Sequence, residues 1–225
     1  MINELIFFSY ILVISVFLNF VQLWGLSALI SYMSVLVIFA NIFVMKQIVL
    51  FGMHATASDA LAVGATIVLN IIQQKYTKEH AQQAINISFI ILFFYTCISK
   101  FHLAYTPSCV DWSNQHYQAL FDWAWRITLA SLGVYYCSQR LDYYIYQRLT
   151  RTYSTLSGTV KSFISLSVSQ LFDTILFTFV GLYGIVSNLW HIIFISYCIK
   201  CITFSCTLAL FPTINHYFRK KYGLF

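Results

Sequence analysis

The sequence predicts an all-α polytopic membrane protein with seven transmembrane helices. Three observations predict it. Only 9% of the residues are charged while 60% are hydrophobic, against roughly 25% charged in an average soluble domain. So few charges cannot solvate the surface of a 225-residue fold in water, and hydrocarbon is left as the solvent for most of it. The apolar residues also fall into runs near the roughly 20 residues that cross a bilayer core as a helix. Finally, Lys and Arg collect in alternate connections between those runs. Two prolines and eight glycines leave long helices uninterrupted.

The first run, 5–24, follows Met1-Ile2-Asn3-Glu4 with no basic segment, so a retained helix is expected rather than a cleaved leader. Runs two and three cover 26–45 and 57–74, the third being short. Run four covers 84–104, and run five, 120–141, is expected to extend into the cytoplasm. Runs six and seven cover 162–186 and 189–212. The whole chain, 1–225, reads as one integral membrane domain with its core at about 26–218.

Nine of the thirteen basic residues set the orientation. Lys75 and Lys78 follow run three; Arg140, Arg148, Arg151 and Lys161 lie between runs five and six; Arg219, Lys220 and Lys221 close the chain. Seven spans put all three groups on one side, which is then the cytoplasm of a bacterial inner membrane. The N-terminus is expected outside and the C-terminus inside. The opposite connections carry little charge beyond Lys46, Asp59 and Asp111.

Several function classes drop out. The net charge of +6 is spent on topology, so nucleic acid is not an expected partner. Of the six cysteines, Cys97, Cys137, Cys198, Cys201 and Cys206 lie in or beside apolar runs and Cys109 in a connection. They read as small apolar residues, and the Cys198–Cys201 spacing lacks the second pair or nearby histidines of a metal site. The six histidines are scattered at loops and span ends. No HExxH, GxSxG, Walker A or GxGxxG occurs, so no cofactor and no enzyme activity is expected. A membrane enzyme acting on lipids would need paired acids or a nucleophile and base at the interface, and none is present.

The informative residues are polar ones at membrane depth. A mid-span charge costs about 2.5 kcal/mol or more, so it faces protein or a wet cavity. By helical rise, Asp173 in run six and Lys200 in run seven lie near mid-membrane, with Asn70 below and Asn41 toward the outer half. Arg126 lies near the outer surface and Asp142 at the inner end of run five. Asp173 and Lys200 are opposite charges at one depth and are expected to pair. Such a pair either locks two helices or marks a transport path.

A signature recurs. Ser138-Gln139 with Asp142 and Tyr146, and Ser169-Gln170 with Asp173 and Phe177, share the form S-Q-x-x-D-x-x-x-aromatic, 31 residues apart. On a helix such residues form a polar stripe able to hydrogen-bond a planar heterocycle. Asn70, Gln73 and Gln74 form another.

These residues resemble the queuosine precursor transporter family, also known as the YhhQ or VUT family, from about Asn41 to Pro212. The resemblance is carried by Ala40-Asn41 through Lys46 with Phe51-Gly52, by Asn70 to Tyr76, and by Arg126 through Ser131. Ser138-Gln139 with Asp142, Ser169-Gln170 with Asp173, and Tyr197 with Lys200 and Pro212 complete it. Asn70 and Gln74 stand where the family usually has acids, and Thr77 where it has glycine. The resemblance implies uptake of a 7-deazaguanine, either a queuosine precursor (preQ0 or preQ1) or the base queuine. It also implies an architecture similar to the substrate-binding subunits of energy-coupling-factor vitamin importers, which work with a separate ATPase. The expected partners are thus a small-molecule substrate and membrane lipid. Asp173 and Lys200 would form the charged centre, with Gln170, Asn70, Gln74 and Asn41 reading the ligand. Arg126 would guard the outer entrance, and Gln139 with Asp142 the inner exit.

Overall fold

Apolar runs with few breakers become helices, in the order the sequence sets out. A computed structural model describes residues 2–156, 158–186 and 188–202, without the side chains at positions 70, 73, 74, 78, 139, 158, 159 and 162. Helix α1 spans Ile2–Val21, and after a 3₁₀ turn at Gln22–Trp24 helix α2 spans Leu26–Phe43. Strands β1 (Gln47–Leu50) and β2 (Met53–Thr56) precede α3 (Asp59–Lys75) and α4 (Lys78–Leu103). Then come α5 (Asn114–Phe121), α6 (Ala124–Thr152) and α7 (Gly158–Leu182). Helix α8 covers Leu189–Ile202. The expected remainder of the seventh run, 203–212, lies outside the described residues.

Four helical stretches among the described residues are long and apolar enough to cross a membrane: Ile2–Trp24, Leu26–Phe43, Glu79–Leu103 and Phe163–Leu182. Shorter apolar helices cover Asp59–Leu69 and Leu189–Ile202. Helix α6 has 29 residues, but its Tyr, Ser and Arg content keeps it outside that set. Large apolar side chains such as Leu5, Phe17, Phe94 and Phe194 are left exposed around the helices, a surface suited to lipid rather than water.

Each helix buries a stripe. On α1, Phe7, Ile11, Ile14 and Leu18 recur at helical spacing and face inward. Helix α2 packs on α3 and α4, and α6 chiefly on α7. Gly64 on α3 permits close approach to α1 and α2, since a Cβ there would meet Ile14 Cγ2 at 3.0 Å and Leu36 Cδ1 at 3.4 Å. Hydroxyl pairs tie helices together where lipid gives no hydrophobic drive. Ser34 meets Ser88 at 3.0 Å, and Thr96 meets Thr128 at 2.7 Å.

One element departs from the all-α expectation. Strands β1 and β2 form an antiparallel hairpin in which Leu50 faces Met53 across a two-residue turn. Both turn residues, Phe51 (φ 50°) and Gly52 (φ 78°), have positive φ, the requirement of a tight hairpin turn that matches strand twist. The start of α1 holds this hairpin: Asn3 Nδ2 donates to the Val49 carbonyl at 2.8 Å, and Glu4 Oε1 accepts from the Phe51 amide at 3.0 Å. The connection between α4 and α6 carries the short helix α5. The fourth helix also starts earlier than expected, because Thr77 caps it through the His80 amide.

Helix α8 lies between α3 and α7. Its Ile195 and Ile199 join the core of α1 to α3, while Ile192 packs with Val44, Ile127 and Leu182.

Candidate functional site

The charged centre of the molecule is a pair set by two helices. Lys200 on α8 places its Nζ 2.8 Å from Asp173 Oδ2 on α7 and donates to Thr174 Oγ1 at 2.9 Å. The Ser138 hydroxyl on α6 donates to Asp173 Oδ1 at 3.3 Å. An ammonium has three donors; two are met among the described residues, and the third is left for the space in front of it.

That space is a cavity of about 160 Å³ enclosed by α2, α3, α4, α6, α7 and α8. Its walls are mostly apolar, with Phe89, Tyr135 and Phe177 as aromatic surfaces. Asn41 and Gln170 supply amides; Ser131, Thr174 and Ser196 supply hydroxyls. The charged lining residues are Asp59, Asp173 and Lys200. An apolar cavity of about 150 Å³ accepts benzene, so this one suits a small planar molecule with polar edges. A second cavity of about 50 Å³ shares Thr66, Gln170 and Lys200 with the first and is also lined by Tyr197 and Cys201. Thr66, Gln170 and Lys200 therefore stand between two spaces.

Of the residues singled out from sequence, Asn41, Gln170, Asp173 and Lys200 meet at the cavity. The Asn41 side chain donates to the Val37 carbonyl at 3.0 Å and accepts from Ser131 at 3.3 Å, which fixes it between α2 and α6. Arg126 is not in the lining: its Nε donates to the Val180 carbonyl at 3.1 Å, and its guanidinium lies 5.8 Å from the Trp123 ring centre. Asp142 lies away from the cavity, beside Ser165 and Ser169 on α7. Asn70, Gln74 and Gln139 have helical backbones, but their side chains lie outside the described set.

Sequence reasoning missed Asp59. Its place at the very start of an apolar run suggested an outer connection, but it is buried at the start of α3. Its Oδ2 accepts from Ser196 at 2.8 Å and from Thr56 at 3.4 Å. It was also unforeseen that the buried Tyr135 hydroxyl has no hydrogen-bond partner among the described residues. Among the described residues no group of three His, Cys, Asp or Glu could hold a metal ion.

Apolar helices with lipid-suited exteriors, surrounding a buried charged cavity, define a polytopic membrane protein of the transport class. The chain belongs to the family described as "Putative vitamin uptake transporter", whose model matches residues 56–214, and it is a membrane transporter. A relative from Bacillus subtilis (strain 168), described as "Probable queuosine precursor transporter", is 32% identical over 210 residues, covering 92% of this chain and 90% of that protein. No solved structure gives a significant match.

Proposed function

We propose that the chain imports a 7-deazaguanine, a queuosine precursor or the base queuine, across a bacterial inner membrane. The observation that carries this reading is the mostly apolar cavity of about 160 Å³ with amides and an ion pair at one end. Asn41 and Gln170 offer donors and acceptors to the edges of a fused heterocycle, and Asp173 and Lys200 offer charged ones. Phe89, Tyr135 and Phe177 offer faces for stacking. The name of the Bacillus subtilis relative supports this substrate class.

The mechanism follows from the row of residues shared by the two cavities. With Lys200 on Asp173, the row of Thr66, Gln170 and Lys200 separates the larger cavity from the smaller one. Substrate that competes for Asp173 loosens this row and lets solute pass inward. Asn70 and Gln74 follow Thr66 at i+4 and i+8 along α3 and extend the path, which Gln139 and Asp142 complete at the inner end. Arg126 stays at the outer end as the entrance residue.

In this reading the chain is a single domain, 1–225, that crosses the membrane seven times, through α1, α2, α3, α4, α6, α7 and α8. The N-terminus is outside and the C-terminus cytoplasmic, as the Lys and Arg distribution favours. The core of six spans is arranged like the substrate-binding subunits of energy-coupling-factor importers, but the chain works without an ATPase and is not an enzyme. The test is expression in cells unable to make queuosine. Queuosine in their tRNA after feeding with candidate bases supports the reading; none with any 7-deazaguanine overturns it. Uptake by the purified chain in liposomes separates a self-sufficient carrier from a subunit of an ATP-driven importer.

A further inference from the structure

Counted formally, the lining holds two carboxylates, Asp59 and Asp173, and one ammonium, Lys200, among the described residues. Asp173 is matched by Lys200, whereas Asp59 has only the hydroxyls of Ser196 and Thr56 as partners among the described residues. Hydroxyls soften the cost of a buried carboxylate but do not neutralise it, and a buried charge calls for an opposite one. Asp59 is close enough to Lys200 and Asp173 for each to act on its charge, yet it pairs with neither. One formal negative charge is left over in the lining.

Geometry places that charge where a ligand would lie. Ser196, which holds Asp59, and Lys200, which holds Asp173, are one turn apart on α8. The backbones of these two anchors are about 6 Å apart along the helix, so the carboxylates are held from successive turns of one helix. A fused two-ring heterocycle with a short arm can bridge them, ring edge toward Asp173 and arm toward Asp59.

We propose that Asp59 is the cation-recognising group of the cavity, so that the chain prefers 7-deazaguanines bearing a protonated alkylamine to neutral ones. This rests on the transport reading above and adds a specificity residue to it. Asp59 Oδ1, which accepts no hydrogen bond among the described residues, takes the ammonium, while Ser196 and Thr56 hold Oδ2 in place.

The test is equilibrium binding of 7-aminomethyl-7-deazaguanine and 7-cyano-7-deazaguanine to the purified full chain in lipid nanodiscs. A charge-assisted contact in a buried site predicts that the amine binds about 10-fold tighter or better, and that Asp59→Asn reduces the ratio to about 2-fold or less. Equal binding by the wild type, preference for the nitrile, or an undiminished ratio in Asp59→Asn overturns the inference and leaves the transport reading intact. Binding of neither compound by the wild type overturns this inference, while the transport reading is decided by the tRNA test with every candidate base, queuine included. If Asp59→Asn does not fold, the wild-type ratio decides: the stated preference supports the inference, and parity overturns it.

Discussion

Ser138 on α6 donates its hydroxyl to Asp173 on α7, joining the serine of one signature copy to the aspartate of the other. Asp142 of the first copy lies beside Ser169 of the second, but Ser169 gives its hydroxyl proton to the Leu166 carbonyl at 3.0 Å. Four residues forward on α6 match four back on α7, as two antiparallel helices require. The repeat thus brings its two copies side by side on α6 and α7, but only the first copy gives a hydroxyl to the carboxylate of the other. One carboxylate, Asp173, also takes Lys200 and lines the cavity; the other does not.

Removing the first of these contacts should loosen the charged centre without dismantling it. Ser138→Ala deletes one donor to Asp173 and should lower stability by about 1–2 kcal/mol. Thermal unfolding in detergent checks the loss; uptake should fall a few-fold, about the rate effect of 1 kcal/mol.

Cavity volume is a separate variable. Ala62 lines the cavity without joining its polar network. Ala62→Leu places three more carbons in or beside a space of about 160 Å³. It should weaken 7-deazaguanine binding by about 10-fold or more, since a rigid ring cannot yield. Titration against purified protein measures this, with the melting temperature as control.

Close helix approach at Gly64 makes a packing prediction. Gly64→Val should destabilise by about 1–3 kcal/mol, because Ile14 and Leu36 already lie at the limit of contact. Denaturation of the variant in detergent reads the cost.

The hairpin turn tests backbone strain alone. A Cβ on Gly52 would meet nothing within 4 Å, so the cost of Gly52→Ala is that of its φ of +78°. That is about 1 kcal/mol. Limited proteolysis should cut the 47–56 segment faster in the variant while the helices stay protected.

The helices and the Asp173–Lys200 pair were legible because lipid imposes a simple code: long apolar runs, and charges that must find one another at equal depth. Asp59 was not legible, since a carboxylate at the start of an apolar run looks interfacial until its helix is seen to begin inside the bundle. The linings contributed by Ser131, Thr174 and Ser196 were hidden for another reason. Serine and threonine sit in apolar helices at little cost, bonding the preceding turn, so one that faces a cavity looks like its neighbours in sequence. For the hairpin a signal existed: Phe51-Gly52 between short runs at the end of α2 is a two-residue turn candidate. The pressure to read every apolar residue as helix concealed it.

The account turns on whether Asp173 and Lys200 handle solute or only hold two helices. Uptake of labelled 7-deazaguanine by Asp173→Asn, Lys200→Met and the double variant, with melting temperatures alongside, separates the two. Losing one partner of a buried pair costs about 3–5 kcal/mol, and losing both can be nearly neutral. The account predicts that the double variant regains stability over the singles while uptake stays down about tenfold or more in all three. Wild-type uptake in the double variant would contradict it and leave the pair a structural clasp.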